Sequence, residues 1–192
     1  MGLFDRLFGG RFSQPAPDET NVSDRDIMKE LCPVCPEQKL ALKELMGLLH
    51  AHIPEQERLR LIRRVLRIFN QDGSACAAIS QGLGDEARGQ KSTNMILLGV
   101  DWRGFDIFEC QAPLIVKALG LSTSYHYQHA GKLSMPEVLA QFDEWLRGMG
   151  KRYLHHDSES DRYEGLIVDA DKVDEAIVLA ERAGSRMRLE CF

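Results

Sequence analysis

No stretch of the chain approaches the ~18–20 apolar residues of a membrane span. The longest apolar run, Met95 to Val100, has the length of a strand. Cysteine is sparse and odd in number: Cys32, Cys35, Cys76, Cys110 and Cys191. An odd set without an export signal points to reduced thiols in a cytoplasm rather than to a disulfide framework. The opening MGLFDRLFGGRF carries Asp5, has no basic lead and no small-residue cleavage site, so it does not read as a secretory leader. Arg6 stands where a myristoylation motif needs Ser or Thr, and Cys191 lies too near the end for a prenylation box. An excess of basic charge is lacking too. Lys and Arg number 24 against 29 Asp and Glu, a net charge of −5, which excludes a strongly basic nucleic-acid binder.

Catalytic signatures are equally scarce. There is no G-x-S-x-G elbow, no H-E-x-x-H and no second C-x-x-C. The stretch Gly84 to Ser92 misses a phosphate-binding loop by one residue, the extra Gln90, and it enters a strand where a P-loop leaves one. The acidic run Asp157-Ser158-Glu159-Ser160-Asp161 begins like a calcium loop. Arg162 then replaces the required Gly and Val168 the required Glu. The balance of these absences is against an enzyme.

What is present is an ordinary globular composition, 44% hydrophobic and 28% charged over 192 residues. It is enough for one self-sufficient core. Residues 1–22 read as an amphipathic turn (Leu3, Phe4, Leu7, Phe8) followed by a polar, Pro-containing linker. Residues 23–192 read as a single α+β domain, helical over 23–80 and sheet-forming over 94–190. After a short helix ending near Leu31 and the CPVCP turn, two helices at about 37–51 and 55–70, split by Pro54, form a helical hairpin. One more helical turn is expected at 74–80. Strands are expected at 94–101, 122–128, 151–156, 162–168 and 186–190, with the third and fourth joined as a hairpin. Helices fall at about 106–119, 135–148 and 172–183. Asp106 with Glu109, and Asp171, are the expected caps. The mixture of crossovers and a hairpin predicts a mixed sheet of about five strands with helices on one face.

Three features are candidates for function. Cys32 and Cys35 form a CPVC pair, and Pro36 would place Cys35 at a helix N-terminus, where a thiolate is favoured. The pair offers redox chemistry, or half of a zinc site that His50 and His52 would have to complete. No strand precedes it, which a thioredoxin-like motif requires. The second feature is the helix at 55–70, where Arg60, Arg63, Arg64 and Arg67 fill the face opposite Leu61, Ile62, Val65 and Phe69. That stripe makes a local positive field in an acidic chain. The third is the turn after the most apolar strand, where Asp101 and Trp102 would mark a binding patch if exposed. Both Trp102 and Phe105 are expected to pack under the following helix. The pairs His126/His129 and His155/His156 carry no chelating spacing.

The strand end Val100-Asp101-Trp102, the helix end Ala118-Leu119-Gly120, and the C-terminal Leu166-Ile167-Val168 and Met187-Arg188-Leu189 together resemble a bacterial family of a domain of unknown function. The likeness covers roughly 38–190 and excludes the CPVC pair. It implies no activity, cofactor or catalytic residue. The sequence alone therefore predicts a small cytoplasmic α+β module that binds a protein partner of acidic character, without catalysis and without a bound cofactor. A second copy of the chain is another partner such a surface admits. Nucleic acid and membrane are disfavoured. The alternative is a thiol-redox or metal protein using Cys32 and Cys35. A site assembled from distant residues such as Asp101, His126 and His155 is the remaining reading.

Overall fold

The computed structural model describes residues 35–192. Cys32, the N-terminal turn, the linker and the short helix expected before Leu31 lie outside the described residues. Helix α1, Pro36–Leu49, starts at a proline whose missing N–H costs nothing in a first turn. Helix α2, Glu55–Asp72, ends on Gly73, whose φ of 71° closes the last turn in the left-handed conformation. Helix α3, Ala75–Gly84, follows at once, and the Ser74 hydroxyl accepts the Ala77 N–H at 3.2 Å. The sequence suggests only one turn here, because Gly82 and Gly84 read as breakers. Gly82 is instead where α3 crosses α2, since a Cβ there would lie 2.7 Å from Val65 Cγ2.

The rest alternates. Strand β1 is Leu97–Val100, α4 is Phe105–Ala118, α5 is Met135–Arg147, β2 is Lys151–His156, β3 is Tyr163–Asp169, α6 is Val173–Ala183 and β4 is Met187–Arg188. The four strands make one sheet in the order β1-β3-β2-β4, and every ladder is antiparallel. The α+β class is as expected. The mixed ladder is not: β3 returns from its hairpin into the space between β1 and β2, so the two strands that run the same way never pair. The expected strand at 122–128 is also absent. Its alternation is real, since Tyr125 and Tyr127 both meet Phe108, at centroid distances of 6.1 and 5.4 Å. The segment lies over an aromatic cluster with no ladder partner, leaving four strands among the described residues instead of five.

The helices cover both faces of the sheet, a correction to the one-face expectation. The pleat sends Leu97, Leu154, Leu166 and Val168 toward α1, α2, α3 and α6. It sends Leu98, Val100, Tyr153 and Ile167 toward α4 and α5. Burial on both faces explains why β1 and β3 read as continuous apolar runs. The caps differ from expectation at two places. Gly104 precedes α4 with no side-chain cap, and Glu109 Oε1 instead accepts the His129 N–H at 2.7 Å. Lys172, not Asp171, precedes α6. Ser134 and Glu137 form a full capping box on α5.

The outer edge of β1 is closed by side chains. Gln90 Oε1 accepts the N–H groups of Ile96 and Leu97 at 2.7 and 2.8 Å, and its Nε2 donates to Leu97 O at 2.6 Å. Gln111 Oε1 accepts the Gly99 N–H, and Arg162 donates to Gly99 O, both at 3.1 Å.

Candidate anion-binding groove

The arginine stripe of α2 divides into two kinds of residue. Arg60 and Arg64 are anchored. Arg60 grips Glu57 with two bonds of 2.6 and 2.7 Å and donates to Arg88 O and Gly89 O at 2.5 Å. Its hydrogen bond holds the Glu57 carboxyl below the usual range. Arg64 donates to Gly82 O at 3.0 Å and to Asp85 Oδ2 at 2.5 Å. Asp85 Oδ1 in turn accepts the N–H groups of Ala87 and Arg88. Those backbone bonds, then the Arg64 charge, keep the Asp85 carboxyl below its usual range. Two guanidiniums thus fold the loop after α3 back over α2.

The other members point outward. Arg63 and Arg67 on α2, and Arg88 on the folded loop, are exposed. Among the described residues none of the three makes an ion pair, whereas Arg60 and Arg64 do. Arg60, Arg63, Arg64, Arg67 and Arg88 line one groove of about 440 Å³. It continues into a cavity of about 600 Å³, where Arg64, Arg67 and Arg88 meet Arg162 and, at the far end, Ser80 and Glu164. Arg88 and Arg162 escape a reading along the helix, because one comes from a loop and the other from the β2–β3 hairpin. The bonds from Arg60 to the loop carbonyls, with Asp85 holding the Arg88 N–H and the Arg64 guanidinium, bring Arg88 to the stripe.

The other predicted residues stand apart from this groove. Trp102 is 59% exposed, contrary to the expectation that it packs under α4, and the Arg103 guanidinium sits 4.0 Å above its ring. Asp101 is exposed and spends Oδ1 on the Arg103 N–H. Phe105 does pack, stacked on His129 at 3.6 Å. His126 is exposed while His155 is buried in β2 against Gly165, so Asp101, His126 and His155 do not converge. Cys35 precedes α1 as expected, partly exposed and a free thiol; its CPVC partner lies outside the described residues. His50 is fully buried and its Nδ1 and Nε2 have no hydrogen-bond partner. Among the described residues no group of three His, Cys, Asp or Glu is placed to hold a metal ion.

A second constellation was not visible in the sequence. Cys76 and Ser80 of α3, His156 of β2, Glu164 of β3 and Ser185 after α6 meet on the sheet face that α3 covers. His156 Nε2 lies 3.2 Å from Ser185 Oγ, and the Cys76 thiol donates to the same oxygen at 3.6 Å. His156 Nδ1 lies 3.6 Å from Glu164 Oε2, which accepts the Ser80 hydroxyl at 2.6 Å.

With the geometry in place, comparison with known proteins adds one match. The family model described as Domain of unknown function (DUF6630) covers residues 41–190. No curated protein and no solved structure gave a match.

Proposed function

Because the chain belongs to the DUF6630 family, a domain of unknown function, its own surface has to carry the functional reading, and we propose that it is a protein-interaction module whose arginine groove takes an acidic segment of a protein partner. One observation carries this. Among the described residues Arg63, Arg67 and Arg88 stand exposed and without ion pairs in one groove, on a chain whose net charge is −5. Arg60 and Arg64, by contrast, are spent on the fold. Arg60 and Arg64 supply the rigidity, since guanidiniums fixed to carbonyls hold the rim of the groove before a ligand arrives. An extended acidic segment suits the shape, since the groove runs along α2 toward Arg162. The cytoplasmic setting expected from the cysteine set belongs to the same proposal.

The test is fluorescence polarisation with a labelled polyglutamate peptide, beside a labelled single-stranded oligonucleotide. Arg63→Glu with Arg67→Glu is expected to weaken peptide binding by about tenfold or more, ~1.4 kcal/mol, with the thermal midpoint unchanged because both residues are exposed. Raising the salt concentration should weaken binding in parallel. Absence of peptide binding, or tighter binding of the oligonucleotide at equal charge, would overturn the reading.

A further inference from the structure

We propose that Cys76 is a redox-reactive thiol, set beside His156 and Ser185 and oxidised by hydrogen peroxide to the sulfenic acid. This does not rest on the arginine groove. Cys76 is the second residue of α3, a 10-residue helix whose Ser74 cap leaves the first-turn N–H groups directed at that end. Ser80 lies one turn further along the same face. His156 and Glu164 are direct partners across the β2–β3 ladder, so their side chains emerge side by side on the face that α3 covers. His156 is 2% exposed, Glu164 5%, Cys76 5% and Ser185 1%. A thiol, an imidazole and a carboxylate are therefore brought together away from water.

Such a cluster has to settle its protons. Burial raises the Cys76 thiol, but the hydrogen bonds from His156 and Ser185 outweigh it and the net direction is down. For His156, burial alone would lower the imidazole; bonding to Cys76 and Glu164 carries it above its ordinary value. Burial likewise opposes the Glu164 carboxylate, while His156 and Ser80 bring its pKa below the usual range. All three directions favour thiolate, imidazolium and carboxylate together. The facing charges beyond the cluster are Glu159, which works against the thiolate, and Arg162, which supports Glu164.

The geometry also selects the chemistry. Metal binding is disfavoured, because these groups do not meet a metal-holding arrangement among the described residues. A bulky acyl substrate is disfavoured because Cys76 is buried. His156 and Glu164, however, line a cavity of about 380 Å³ that also presents Trp102, Arg162 and Phe192. Cys76 does not itself line this cavity, and a small oxidant would have to reach the sulfur past His156. The thiolate sulfur attacks one peroxide oxygen, forming the S–O bond as the O–O bond breaks. Sulfur loses two electrons and the peroxide gains them. The departing hydroxide takes the proton of the His156 imidazolium and leaves as water.

The experiment exposes the full chain to hydrogen peroxide, then unfolds it in denaturant containing dimedone to trap sulfenic acid, and quantifies each cysteine by peptide mass spectrometry. Near neutral pH, Cys76 is expected to react at least about tenfold faster than the exposed Cys110. His156→Gln should remove the advantage of Cys76 while Cys110 is unaffected. The comparison of the two cysteines in the unsubstituted protein stands even if that variant does not fold. Oxidation of Cys76 no faster than Cys110 would overturn the proposal.

Discussion

Lowering the pH from about 6.5 to about 4 is expected to cost the fold ~3 kcal/mol for each of two histidines, His50 and His155. Both are lowered from 6.5 to about 4, and burial is the leading cause in each. Neither lies in the groove or in the Cys76 cluster. Between those pH values the unfolded chain binds the protons that the folded chain refuses, so stability rises with pH across the window. It is fully present above 6.5 and is lost as the pH falls toward 4. His156 is shifted upward and acts in the opposite sense, contributing below its unfolded value and losing that contribution as pH rises through the folded one. On acidification that contribution is gained above 6.5, and it adds almost no slope inside the window. His52 is lowered by burial and adds to the loss. Urea unfolding midpoints across the window measure the sum. His50→Leu should remove close to half of the slope, because it deletes the proton acceptor that the folded state excludes. A midpoint flat from neutral pH down to about 4 would refute the assignment.

Gly165→Ala is expected to destabilise the domain by ~3 kcal/mol or more, at the upper end of overpacking. Gly165 lies in β3 between Leu98 of β1 and His155 of β2. A Cβ there would stand 2.2 Å from Tyr153 Cζ and 2.7 Å from Leu154 O. The carbonyl belongs to the neighbouring strand and cannot move without breaking the ladder. The ring is fully buried against Phe142 and His155, at centroid distances of 5.9 and 4.9 Å. At ~2–4 °C per kcal/mol for a chain of this size, the thermal midpoint should fall by ~6–12 °C. Repeating the substitution in a Tyr153→Leu background separates the two clashes. The ring contact disappears and the carbonyl contact stays, so the added cost should shrink by ~1–2 kcal/mol without vanishing. An equal cost in both backgrounds would mean that the ring is not what Gly165 accommodates.

The elements that were legible in the sequence are those set by local chemistry. The apolar period of α2, Pro36 and Pro136 in first helical turns, and the alternation of β2 and β3 each act over a few residues. Sheet order is set by which faces need cover, and no single segment carries that information. The alternation around Tyr125 shows the limit. It records a buried face, and a face can be buried by aromatic rings as well as by a strand partner. The same division holds for the sites. Four arginines on one helix are visible at i, i+3, i+4 and i+7, whereas Arg88 joins them only because Asp85 and Arg60 bend a loop. Cys76 and Ser185 are 109 positions apart, and a reading by spacing has no access to such a pair. The adjacent histidines held a usable signal. Strand parity places His155 on the α4–α5 side and His156 on the α3 side, where a cysteine follows a Ser helix cap. Nothing local says which of the two sides holds α3.

Gln90, the residue that spoils a phosphate-loop spacing, bears on how copies of this domain behave at high concentration. An open strand edge is a template for a neighbouring chain, and intermolecular ribbons grow by filling its free N–H and C=O groups. On β1 those groups at Leu97 and Gly99 are already occupied by Gln90, Gln111 and Arg162. Side-chain amides here do the work of a fifth strand without offering an edge of their own. At the opposite end, β4 spans only Met187–Arg188, too short to seed a ribbon. Among the described residues the sheet thus offers no long open edge for lateral growth on either side.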